Sequence, residues 1–176
     1  REMRAWKIYI HILDEVKNMS TILPLISELH SDTMRERHWH QLMNITGVSF
    51  HKGPEFSFKN LLDLQLHKFG DDVSDIVAQS SKEFKIEKKL IQIREVWAKM
   101  VGEFTVRENS VPLLANAGAV VEVVEAHSLE ITSMAAQGRF IEFCKDQVDT
   151  WSRNLSCIDS VLFVWQKFQR NWSRLE

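Results

Sequence analysis

The sequence is short of residues that break a chain or cross-link it. Among 176 residues there are three prolines, six glycines and two cysteines. So little glycine and proline argues against a turn-rich β-sandwich and against disorder. Cys144 and Cys157 stand 13 residues apart in one segment of helical periodicity. At about 1.5 Å rise per residue they are separated by roughly 20 Å, beyond disulfide reach. Both are expected buried, inert and unpaired, as in a reducing intracellular compartment. Charge of one sign is also missing: 22 Lys and Arg face 24 Asp and Glu, a net charge of −2. That balance predicts no nucleic-acid partner and no membrane surface. No apolar run approaches the roughly 18 residues of a membrane span, and no signal-peptide pattern is present. The chain opens Arg1-Glu2-Met3-Arg4 and so reads as a piece of something longer. Four glycosylation sequons, at Asn18, Asn44, Asn154 and Asn171, fall mostly within helical patterns and are expected to be unused.

Catalytic motifs are absent as well. There is no GxxxxGK[ST] and no GxGxxG to cradle phosphates, and no HExxH or CxxC to hold zinc. His38 and His40 stand two residues apart, which on a helix points them about 200° apart. They cannot share a metal, and His38 is expected as a half-buried, hydrogen-bonded histidine. Carboxylates are expected on solvated helical faces. Between 71 and 104, six basic residues meet seven acidic ones, Glu83 among them, which reads as a mixed solvated surface.

What the chain has is apolar bulk, 44% of residues, with six Trp and ten Phe against one Tyr. The spacing predicts a predominantly all-α fold, an elongated helical bundle of long antiparallel helices with one small β-hairpin near 104–114. Residues 1–70 form an N-terminal helical part and 71–176 a long-helix part. Residues 1–19 carry Trp6, Ile10, Leu13 and Val16 on one face, and Pro24 kinks or restarts the helix. Ser31-Asp32-Thr33 offers a cap, with Glu36 three residues after Thr33. The helix that follows holds Met34, His38, Trp39, Leu42 and Met43 and stops at Gly47. A loop at 48–57 turns at Gly53-Pro54. A short helix from Phe58 to Leu66, capped by Ser57, breaks at Gly70. One long helix spans 71–104 with a stripe from Val73 through Trp97 to Phe104. Another runs from Asn116 to about Gln137, where Gly138 ends it. The last helix, 139–175, has the strongest pattern. Cys144, Trp151, Ile158, Trp165 and Trp172 recur every seven residues, with Val148, Leu155, Leu162 and Gln169 between them. That 4-3 spacing predicts a buried seam against a long partner helix, expected to be 71–104.

Three strings go further. Glu36-Arg37-His38-Trp39-His40-Gln41-Leu42-Met43 resembles the RHW helix of dynein heavy chains, upstream of their motor ring. Lys82-Glu83-Phe84, Ile86-Glu87-Lys88-Lys89-Leu90 and Ile93-Arg94-Glu95-Val96-Trp97 together resemble that family's long linker helix. Gln169-Arg170-Asn171-Trp172-Ser173-Arg174-Leu175-Glu176 is similar to its VQRxWxYLE string, with Arg174 where the family usually has Tyr. The order and spacing agree over about residues 20–176. The resemblance implies an axonemal dynein heavy chain and, here, the middle of its linker, the lever that bends over a ring of AAA+ modules. It implies no catalytic residue and no cofactor in this segment, with ATP and Mg held in the parent ring. It implies as partners that ring, other dynein chains and, through the stalk, the microtubule, and a place in the cytoplasm and cytoskeleton, in the axoneme of a cilium or flagellum. The residues expected to form the lever core are His38, Trp39, Trp97, Trp151, Leu155, Trp165, Gln169 and Trp172. The rival readings are a generic helical scaffold or protein-interaction domain, and a small-molecule enzyme with a cryptic pocket.

Because the chain has no glycine-rich phosphate loop, calorimetric titration of it with MgATP is expected to show no saturable binding. Micromolar affinity would overturn that reading.

Overall fold

The computed structural model describes residues 7–50, 60–61, 64–106 and 111–175. In chain order these contain α1 (Lys7–Leu29), α2 (Glu36–Thr46), a 3-10 turn (Leu66–Lys68) and α3 (Gly70–Lys99). There follow β1 (Phe104–Thr105), β2 (Leu113–Leu114), α4 (Ala117–Ala135), a 3-10 segment (Gly138–Cys144) and α5 (Lys145–Trp172). The fold is predominantly α-helical with one small hairpin, as the periodicity predicts. The chain forms two compact units, Arg1–Phe84 and Lys85–Glu176.

In the first unit α1 is a single helix that passes through Pro24. Proline removes one backbone donor and crowds the preceding turn, yet Ile22, Leu25 and Leu29 are buried on either side of it, and that shared packing holds both halves in line. Just upstream, the Ser20 and Thr21 hydroxyls donate to the Val16 and Lys17 carbonyls, as hydroxyls in helices commonly do. The expected apolar face at 7–19 is not a core face: Ile10, Leu13 and Val16 are exposed. Trp6 lies outside the described residues, as do Gly53-Pro54 and Ser57-Phe58. Of the expected helix at 58–66, Asn60 and Leu61 are helical and Leu66 opens the 3-10 turn. Gly70 does not break a helix; it begins α3. The core gathers Leu29, Met34, Trp39, Leu42, Leu66, Val73 and Ile76, with the Trp39 indole edge-on to Phe50 at 6.0 Å. Gly47, at φ 70°, ends α2 in the left-handed conformation and donates its N–H to the Met43 carbonyl, a geometry that costs glycine nothing.

In the second unit the later part of α3, together with α4 and α5, encloses a common core. Ile86, Leu90 and Ile93 meet Ile131, Met134, Cys144, Val148 and Leu155, and Val120 and Val124 meet Leu162. These pairings run α4 and α5 antiparallel. The helix that α5 lies along is therefore α4 rather than 71–104. Helix α3 stops at Lys99, and Val101 and Phe104 are exposed. Phe104 and Thr105 then pair antiparallel with Leu114 and Leu113. The Asn116 side chain extends that ladder, accepting from the Glu103 N–H and donating to the Val101 carbonyl. Residues 107–110, where the sequence places the turn, are outside the described residues. Gly138, at φ 58°, follows α4, and the next segment is 3-10, so the last helix begins at Lys145 instead of 139.

The seam on α5 divides in two. Val148, Leu155 and Leu162 are buried throughout, and Leu155 is 0% exposed. The other row is buried at Cys144, half-buried at Trp151 and Ile158, and exposed at Trp165 (43%) and Trp172 (36%). A straight helix turns about 100° per residue, so a seven-residue row drifts by about 20° each heptad. Over four heptads the row rotates by about 80° and leaves the contact with α4. Trp165 and Trp172 thus fall outside the core they were expected to join. Cys157 is likewise exposed rather than buried, and neither cysteine is in a disulfide.

Leu155→Ala is expected to cost the chain about 2–5 kcal/mol in urea unfolding. Trp165→Ala should cost less than half as much, because much of that indole already meets solvent; equal costs would mean that the row does not peel away.

Candidate functional site

Two of the three strings singled out in the sequence meet in space. Along α3 the buried positions are Val73, Ile76, Ser80, Glu83, Ile86, Leu90 and Ile93, steps of three and four that define one helix face. Two of those seven are polar. Glu83 is 2% exposed, so the expectation that it belongs to a solvated surface is wrong. A carboxylate in such a place costs several kcal/mol unless it is fully partnered, and here the partners arrive from α2 and from its own helix.

Arg37 Nε donates to Glu83 Oε2. His38 Nε2 lies 3.1 Å from the same oxygen. Gln79, one turn earlier on α3, donates from Nε2 to Oε1 at 2.6 Å. His38 is wholly buried, deeper than the half-burial expected of it, and both its ring nitrogens are engaged. Nδ1 accepts the Arg35 backbone N–H at 3.0 Å. Acceptance at Nδ1 requires the proton on Nε2, so the neutral ring donates to Glu83. Burial pulls the His38 pKa below its ordinary value, with Arg37 and Arg35 acting the same way, and this outweighs the upward pull of Glu83. His38 occupies the third position of α2 and Arg35 its N-cap, so the imidazole does the work that Glu or Gln does in a capping box. The cap expected at Ser31-Asp32-Thr33 is used otherwise. Thr33 Oγ1 lies 3.0 Å from Ser80 Oγ and from Ser31 Oγ, tying the loop before α2 to the second polar position of α3. The Arg35 guanidinium sits 5.4 Å from the centre of the Phe84 ring, within cation–π range.

The arrangement holds rather than reacts. Glu83 accepts three hydrogen bonds, and His38 has neither a spare lone pair nor a spare proton. Among the described residues no three potential metal ligands converge. Of the expected core residues, His38 and Trp39 lie in the first unit, Trp39 packed in its apolar cluster. In the second unit Leu155 and half-buried Trp151 share a core. Trp97 packs there too and donates its indole N–H to His127 Nδ1 at 3.0 Å. Gln169 is half-buried, in a concave surface of about 470 Å³ with Leu113, Leu114 and Arg170. Ser80, Gln79 and Arg35 were missed from the sequence, and Glu83 and Thr33 were given other roles there. The available signal was that Ser80 and Glu83 interrupt an otherwise apolar three-four row.

A family model described as "Dynein heavy chain, N-terminal region 2" matches residues 1–176. Over its full length the chain is 36% identical to dynein axonemal heavy chain 11 of Sus scrofa and 36% to the ciliary dynein beta chain of Tripneustes gratilla. It is 34% identical to the flagellar outer-arm dynein beta chain of Chlamydomonas reinhardtii. It spans about 4% of the length of each of these relatives.

Glu83→Ala is expected to destabilise the chain by about 2–4 kcal/mol, somewhat below the usual cost of splitting a buried pair, because the Arg37 side chain keeps 34% of its surface in solvent. Gln79→Ala should cost about 1 kcal/mol. Urea titration measures both, and a neutral Glu83→Ala would show that the carboxylate is not what holds α2 to α3.

Proposed function

This chain belongs to the dynein heavy-chain family, as its N-terminal region 2, and on that premise we propose that it is a mechanical segment of the linker. In this reading it transmits an ATP-driven change of shape in the AAA+ ring of the same heavy chain to movement along a microtubule. Hydrolysis, with its ATP and Mg, belongs to the ring and not to residues 1–176. Other dynein chains join through the parent polypeptide, and the microtubule through its stalk. The place of work is the axoneme of a cilium or flagellum, in keeping with axonemal, ciliary and flagellar relatives.

The observation that carries the reading is the full-length match to this region, and the architecture suits the task. A lever must resist deformation, and close-packed interiors have low compressibility. The second unit fills its core with Ile93, Ile131, Met134 and Leu155, flanked by the Trp97 and Trp151 rings. The first ties α2 to α3 through a carboxylate that loses its partners if the helices slide. Neither arrangement offers a nucleophile with its base, which is why load-bearing is favoured over chemistry.

In a full heavy-chain motor, Leu155→Ala is expected to lower microtubule gliding velocity more than basal ATP turnover, because the damage softens the lever and leaves the ring intact. Equal loss of both would count against a lever, and unchanged gliding would mean that this core bears no force.

A further inference from the structure

The Arg35–His38–Glu83 cluster has a property beyond holding two helices together: one of its hydrogen bonds exists only while His38 is neutral. Nδ1 accepts the Arg35 N–H at 3.0 Å and Nε2 donates to Glu83 at 3.1 Å. A proton added at Nδ1 has nowhere to point but at the Arg35 N–H. Two donors would then face each other at hydrogen-bond distance, so the bond that caps α2 breaks. The new cation would sit beside Arg35 and Arg37 on its own side and opposite Glu83 on α3. Glu83 is already neutralised by Arg37, so the attraction it offers does not replace the lost cap. We infer that His38 is an acid-sensitive catch: protonation at Nδ1 uncaps α2 and loosens its first turn from α3.

The sign follows from linkage. In the unfolded or undocked chain a histidine takes up its proton near pH 6.5. In the docked state burial delays uptake to lower pH. The docked state therefore binds fewer protons in that interval, so docking is favoured above about pH 6.5 and weakens as pH falls through it, by at most about tenfold per pH unit. A side chain that makes both bonds without titrating would remove the dependence. Glutamine at this third helical position has an oxygen to accept and an amide to donate.

The structural part stands by itself, while its consequence for movement rests on the lever reading. The test uses full-length heavy chain, wild type and His38→Gln, with hydrogen–deuterium exchange of residues 36–46 at pH 7.5 and 5.8 after correction for intrinsic rates. Wild type is expected to open several-fold more often at the lower pH, and His38→Gln equally often at both. Wild type without a pH effect, or His38→Gln with the same effect, overturns the catch. Gliding velocity divided by ATP turnover is measured on the same preparations. If acid opens α2 in wild type alone and the ratio stays constant, the catch stands and the lever reading fails.

Discussion

The buried Glu83 carboxylate is the constraint around which the first unit is arranged. A charge taken out of water demands partners, and each partner fixes something else. Arg37 and His38 are adjacent on α2, so satisfying Glu83 with both sets the rotation of that helix as well as its position. His38 then has only Nδ1 left, and that atom finds the Arg35 N–H, which fixes where α2 begins. With α2 placed, Trp39 and Leu42 face the apolar cluster. Sliding α2 along α3 by one turn would displace the apolar groups from their contacts. It would also strand a carboxylate, at a cost of several kcal/mol. The polar cluster therefore pins the observed register of α2 on α3.

Among its described residues the second unit has no such buried charge, and it sets its register by shape. Its helices meet through Ile, Val, Leu and Met, supplemented by Trp97, whose indole nitrogen reaches His127. Here the geometry of the α-helix sets the limits. A heptad row stays in contact only if the helices coil around each other, and on a straight helix it drifts away. Cys144 begins inside the core and Trp172 ends outside it. The Leu155 row, closer to the centre of the contact, tolerates the same drift and stays covered.

Stiffness and register matter together for a segment proposed to carry load. Apolar packing resists compression, and hydrogen bonds to a buried charge add a penalty for sliding. The α2–α3 contact combines the two. Ile76 and Leu42 supply burial, and Glu83 with Arg37, His38 and Gln79 supplies direction.

The sequence by itself determined the helical class, the hairpin near 104–114, the C-terminal end of α2, the approximate span of α4, and the family, because all of these rest on local periodicity, turn residues or matched strings. The stop at Gly47 was legible for that reason. Local pattern misled wherever a residue's surroundings come from another helix. Pro24 signals a break, but packing on both sides of it carries α1 through. Trp165 signals core, but burial depends on how far α4 follows a drifting row. Only the tertiary structure decided that Glu83 is buried. The residue type predicts solvent, and what reverses the prediction is a pair of donors brought from α2, more than forty residues away in the chain, by a fold that the sequence shows only in pieces.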